Sequence, residues 1–181
     1  MSALCNTKPL YWEADYVHWR RDNPAILAAF QALKSERALT GSHFFGGRWE
    51  NLSVSRAAAP ALEPVLRQVQ RCAANILGMQ PAQLQTGFWF NETHPGQRTA
   101  PHSHDEFDEL LSGVYYVRVP HGGGDLRLGE EALRIRPREG GLVFFDPALV
   151  HRVDEHRGEG MRLSVGFNVG PAGGGWPSVG P

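Results

Sequence analysis

Two histidines stand one residue apart in Thr99-Ala100-Pro101-His102-Ser103-His104-Asp105-Glu106. On an extended strand, residues two apart share a face at a spacing of about 7 Å, and both imidazoles can reach one metal ion at about 2.0–2.1 Å. With eight histidines in 181 residues, chance alone gives about 0.35 His-x-His pairs per chain, so the pair decides nothing by itself. His151, in Val150-His151-Arg152 after Phe144-Phe145-Asp146-Pro147, is the candidate third ligand, because a jelly roll doubles back and returns a later strand to the same place. A second triad competes. Glu106 lies two residues past His104, so His104, Glu106 and His151 make the two-histidine, one-carboxylate set that commonly holds non-haem Fe(II). The run Asp105-Glu106-Phe107-Asp108-Glu109 otherwise reads as a solvated acidic loop.

Arg162 adds a different chemistry. In Met161-Arg162-Leu163-Ser164-Val165-Gly166-Phe167-Asn168, alternation puts Arg162, Ser164, Gly166 and Asn168 on one face and the apolar residues on the other. A guanidinium facing a barrel interior is costly without an anion, and its planar fork matches a carboxylate. That carboxylate is either an Asp or Glu of the chain or a ligand.

The elements that must position these groups follow from local patterns. Asn23-Pro24 reads as a helix cap with proline in the first turn, followed by a stripe of Ile26, Leu27, Phe30 and Leu33. A second helix is expected over 60–77, with Leu62, Val65, Leu66, Val69, Ala73, Ile76 and Leu77 on its apolar face and Gly78 at its end. From residue 84 the texture changes to short Val-, Phe-, Tyr- and Leu-rich segments separated by Gly and Pro. Strands are expected near 85–92, 98–104, 113–119, 125–128, 132–136, 141–145, 149–153 and 161–169. Eight short strands after two helices predict a mainly β protein, a sandwich or small barrel with helices on one face. The reading is one domain over 1–170, with a helical part over 1–80, a β core over 84–169 and a loose Gly/Pro-rich tail over 171–181. Tyr11, Trp12, Tyr16 and Trp19 mark a segment that packs onto something, and Thr40–Trp49 is a candidate lid or dimer surface.

Composition narrows the classes. A formal net charge of -1 argues against a nucleic-acid binder, which needs phosphate-neutralising charge. No apolar run approaches the ~20 residues of a membrane helix, and the N-terminus lacks signal-peptide order. Two cysteines, Cys5 and Cys72, make no disulfide framework, and a reduced, cytoplasmic protein is expected.

The ordered set His102-x-His104, then Leu111-Ser112-Gly113-Val114-Tyr115-Tyr116-Val117, Pro137-Arg138-Glu139-Gly140 before Phe144-Phe145, His151, and Arg162-Leu163-Ser164-Val165-Gly166-Phe167-Asn168 resembles the small bacterial 2-oxoglutarate/Fe(II)-dependent oxygenases. The resemblance covers roughly 87–169, and Trp89-x-Asn91 resembles the strand before the metal motif there. It implies a double-stranded β-helix (jelly roll, cupin-like) with Fe(II) on His102, His104 and His151, Glu106 staying open as a replacement ligand. It further implies 2-oxoglutarate as co-substrate, its distal carboxylate on Arg162 with help from Ser164 and from Tyr115, or from Tyr116 in the other strand register. Asn91 is implied to line the pocket, and Phe88, Phe90, Phe144 and Phe145 either shape it or belong to the plain core. The expected activity is oxidation of a C–H bond of a small-molecule or peptide substrate, in a chain that binds neither nucleic acid nor membrane and that could form a homodimer. Two other classes stay open: a three-histidine cupin enzyme that does not use 2-oxoglutarate, and a non-catalytic jelly-roll binding protein.

Overall fold

The computed structural model describes residues 10–104, 108–130 and 133–173. All eight strands expected after residue 84 form. They are β4 (Leu84–Thr93), β5 (Thr99–His102), β6 (Leu111–Arg118), β7 (Leu126–Leu128), β8 (Leu133–Ile135), β9 (Gly141–Phe145), β10 (His151–Val153) and β11 (Arg162–Pro171). They pair antiparallel into two sheets, one containing the run β9-β6-β11-β4 and the other ordered β5-β10-β7-β8. Apart from the β7-β8 hairpin, consecutive strands from β4 onward alternate between the sheets, the arrangement of a jelly roll.

The N-terminal part departs from the helical expectation for residues 1–80. It contributes three strands, β1 (Tyr11–Asp15), β2 (Thr40–Phe45) and β3 (Arg48–Ser53), that extend the first sheet to seven in the order β1-β9-β6-β11-β4-β3-β2. The aromatic residues near the start are explained by this pairing. Tyr11 and Trp12 lie opposite Phe145 and Phe144, and Tyr16 is buried with its ring edge on Tyr115.

Helix α1 (Trp19–Ser35) begins four residues before the expected cap, and Pro24 lies inside it. Asn23 is not a cap. Its carboxamide donates to the backbone carbonyls of Tyr116 (3.4 Å) and Val117 (2.6 Å) and accepts the Tyr115 hydroxyl proton. Tertiary hydrogen bonds from β6 thus override the local cap signal. Helix α2 (Glu63–Leu77) matches its expected span closely and ends at Gly78 in the left-handed region, φ +67°, where glycine avoids the Cβ penalty.

Both helices pack on one face of the seven-stranded sheet. Ile26, Phe30 and Leu33 of α1 and Val65, Leu66 and Val69 of α2 join Phe90, Tyr115, Val117, Val165 and Phe167 in one buried cluster. A smaller cluster of Tyr116, Leu126, Leu128, Ile135, Val143 and Phe145 fills the space between the two sheets. Along β6, Tyr115 and Val117 therefore face the helices while Tyr116 faces the barrel interior. The strand reads as a continuous apolar run because it is buried on both faces.

Candidate metal centre and anion pocket

His102 ends β5 and His151 begins β10, and the two are direct cross-strand partners. His104 lies just past β5, held by its backbone N–H donating to the Pro147 carbonyl at 2.8 Å. The three rings converge, with centroids 4.2 Å (His102–His151), 5.0 Å (His102–His104) and 5.1 Å (His104–His151) apart. One ring nitrogen from each lies within 4.8 Å of the others.

The orientation of two rings is fixed from behind. Nδ1 of His102 sits 2.8 Å from the Ala100 carbonyl, and Nδ1 of His151 sits 3.0 Å from the Leu149 carbonyl. A carbonyl only accepts, so each Nδ1 carries the proton and each Nε2 lone pair is left for an ion. His151 is buried, and burial together with the neighbouring His102 pushes it down to about 3. It stays neutral, the form that coordinates.

Trp89 and Phe145 wall the cluster, with ring centroids 5.3 Å from His104 and 4.7 Å from His151 respectively. Trp89 fits only because Gly166 stands opposite it in the ladder. A Cβ on Gly166 would come within 2.5 Å of the indole, closer than van der Waals contact allows.

Arg162, Ser164, Tyr116 and Asn91 line the same cavity as the three histidines. Arg162 is only 2 % exposed. Among the described residues it forms no ion pair, and its Nε has no hydrogen-bond partner. Tyr116 stands beside it, with its ring centroid 5.5 Å from the guanidinium carbon and its hydroxyl likewise buried and unpartnered. Burial draws Arg162 below the usual guanidinium range and pushes Tyr116 up to about 12 despite the nearby cation, so the phenol remains an O–H donor. A buried cation and a buried donor with no acceptor between them leave a deficit that an anion would fill. The internal ion pair that the sequence left open for Arg162 is absent among the described residues.

Tyr115 does not line this cavity. Its hydroxyl donates to Asn23 Oδ1 on the helix side, so the register places Tyr116, the alternative, toward Arg162. Of the four phenylalanines considered for the pocket, Phe145 lines it, while Phe88, Phe90 and Phe144 belong to the helix-facing core. Glu106 falls outside the described residues. Asn91 is tied down, donating to the Glu50 carbonyl at 2.6 Å and to Asn51 Oδ1 at 3.2 Å. Asn51, on β3, also lines the cavity. Sequence reading missed it, because Arg48-Trp49-Glu50-Asn51 carries no motif and β3 itself was not foreseen.

The residues fit both partners that the resemblance implied. Three imidazoles suit a divalent transition-metal ion, and the orphaned guanidinium and phenol suit a carboxylate.

Comparison with known proteins agrees. Residues 88–170 match the family model of the 2OG-Fe(II) oxygenase superfamily. No curated protein sequence matches the chain. Among solved structures, the epimerase SnoN in complex with Fe3+, alpha ketoglutarate and nogalamycin RO is 15% identical, with a TM-score of 0.74 over 94% of this chain and 83% of that one. A Pseudomonas putida prolyl-4-hydroxylase is 20% identical, with a TM-score of 0.67 over 88% and 91% of the two chains. A Trichoplax adhaerens prolyl hydroxylase in complex with a hypoxia inducible factor oxygen degradation domain peptide is 12% identical, with a TM-score of 0.66 over 91% and 84%. Over residues 88–170 the chain is thus similar to the 2OG-Fe(II) oxygenase superfamily, and His102, His104, His151 and Arg162 all lie within that stretch.

Proposed function

We propose that His102, His104 and His151 hold Fe(II), that Arg162 binds the distal carboxylate of 2-oxoglutarate, and that the chain oxidises a C–H bond of a small-molecule or peptide substrate. When loaded, the site would couple that oxidation to oxidative decarboxylation of 2-oxoglutarate to succinate and carbon dioxide, with dioxygen as the oxidant of both. The single observation that carries this reading is Arg162, buried without an ion pair among the described residues in the cavity that the three histidines share.

The chain's own residues have separable tasks. Carbonyls behind His102 and His151 hold two Nε2 lone pairs toward one point. Arg162 offers two parallel N–H donors, the geometry a carboxylate prefers. Tyr116 donates its phenolic O–H alongside, and Ser164 lies two residues along the same strand face. Trp89 and Phe145 give His104 and His151 apolar neighbours, and a lower local dielectric strengthens polar contacts beside them. His102 and His104 are half-buried, so the centre stays reachable from outside. The substrate class is carried by likeness alone: relatives of this fold hold nogalamycin RO or a peptide. We also place residues 1–170 in a single domain, because β1, β2 and β3 extend the same sheet that bears Arg162.

Anaerobic addition of Fe(II) and 2-oxoglutarate tests the assignment. A weak visible charge-transfer band is expected in the native protein and is expected to vanish in His151→Ala together with bound iron. Arg162→Leu should retain iron by metal analysis yet give no band. Iron bound by the native protein with no band on adding 2-oxoglutarate would refute the co-substrate role.

A further inference from the structure

The outer face of the four-stranded sheet carries a second concentration of charge. Arg152 on β10 lies directly opposite Arg127 on β7, and Arg127 lies directly opposite Arg134 on β8. Neighbouring Leu126, Leu128 and His151 are buried, so by alternation the three guanidiniums project away from the barrel interior. Side chains at directly opposed positions start about 4.5–5.5 Å apart, and like charges placed so repel.

The three arginines line a cleft of about 1160 Å³ together with Arg98, Arg136 and Arg157. Three carboxylates of the lining answer three of the six. Asp154 accepts from Arg127 at 2.7 Å, Asp125 from Arg134, and Glu155 stands 3.9 Å from Arg157. Arg98, Arg136 and Arg152 have no ion pair among the described residues. The lining thus has three unanswered positive charges in a chain whose net charge is -1.

We propose that this cleft, which adjoins the Arg162 pocket at Thr99 and Val153, is a second binding site, for a compact polyanion carrying two or more phosphate or carboxylate groups. Arginine rather than lysine supplies every cation of the lining, and its planar fork suits bidentate contact with such groups. The ladder repeats one guanidinium per strand, about 4.8 Å apart, so neighbouring oxyanions of one molecule can be met at once. The concavity focuses the positive field of the row on its occupant. A ligand filling it would relieve the repulsion between Arg152 and Arg127.

Inorganic tripolyphosphate and citrate are the probes, titrated calorimetrically into the full chain at low salt. Saturable binding of one tripolyphosphate or one citrate per chain is expected, and whichever binds more tightly identifies the oxyanion. Arg152→Gln and Arg136→Gln should each weaken it at least tenfold. Arg71→Gln, on α2, removes the same unit of charge far from the cleft and should leave binding unchanged. Excess 2-oxoglutarate should not displace the probe. Equal losses in Arg71→Gln, displacement by 2-oxoglutarate, or binding only of long polynucleotides or acidic peptides would overturn the proposal, as would no saturable binding of either probe.

Discussion

Tyr115 and Tyr116 are neighbours on one strand, 0 % and 1 % exposed, and the two faces of the sheet treat them in opposite ways. On the helix face, the Tyr115 hydroxyl finds Asn23, and the Asn23 amide in turn finds two β6 carbonyls. On the barrel face, the Tyr116 hydroxyl and Arg162 Nε find nothing. Equal burial with unequal satisfaction separates a polar group that builds the fold from one kept for a ligand. Tyr115 is satisfied as it stands, whereas Tyr116 and Arg162 present unpartnered donors to the cavity.

Substitutions on the two faces should therefore separate stability from binding. The largest expected effect is on the helix face. Phe30→Ala, in a fully buried position against Phe90, should cost about 3–5 kcal/mol, measured by denaturant unfolding. A loss under about 1 kcal/mol would mean that α1 docks more loosely than the packing indicates. On the barrel face, Arg162→Leu should weaken 2-oxoglutarate about a hundredfold, close to 3 kcal/mol by the tenfold-per-1.4 kcal/mol relation. The same change should leave folding stability unchanged or raise it, since replacing a buried uncompensated ion by an apolar group is often favourable. A stability loss with unchanged 2-oxoglutarate affinity would reverse the roles of the two faces.

The tyrosine pair gives the finest test. Tyr115→Phe strands Asn23 Oδ1 and should cost about 1–2 kcal/mol of stability, with 2-oxoglutarate binding intact. Tyr116→Phe removes a hydroxyl that has no partner, so stability should hold while 2-oxoglutarate affinity falls about tenfold, the worth of one hydrogen bond to a charged group. Identical behaviour of the two variants in both assays would erase the distinction. Gly166→Ala, finally, should displace Trp89 from beside His104, and its smaller effect is expected first as lowered iron affinity in a metal-competition titration.

The eight strands after residue 84 were legible because their glycine and proline punctuation and alternating residues agree, and β11 shows this best. Arg162, Ser164 and Gly166 fall on the cavity face as alternation requires, opposite Leu163, Val165 and Phe167. Alternation fails on β6, where both faces are buried and either tyrosine could face in. It also fails on β1, whose Tyr-Trp-Glu-Ala-Asp has only partly buried and exposed positions and draws its strand character from pairing with β9. The start of α1 was misplaced because Asn23-Pro24 carries a strong local cap signal, while the hydrogen bonds that claim Asn23 come from residues 93 and 94 positions away. The three histidines were legible as a set, but the tautomers of His102 and His151 depend on carbonyl positions that no residue pattern encodes.

The pairing of β1 with β9 bears on how this protein can be handled. Cutting the chain back to the family-matched stretch would strip β1 from one side of the sheet and β3 from the other. The strand Gly141-Leu142-Val143-Phe144-Phe145 would then present bare backbone donors and acceptors beside two phenylalanines, a template for strand-to-strand association. Such a fragment should precipitate rather than yield a minimal enzyme, and the N-terminal residues serve as its built-in protection against aggregation.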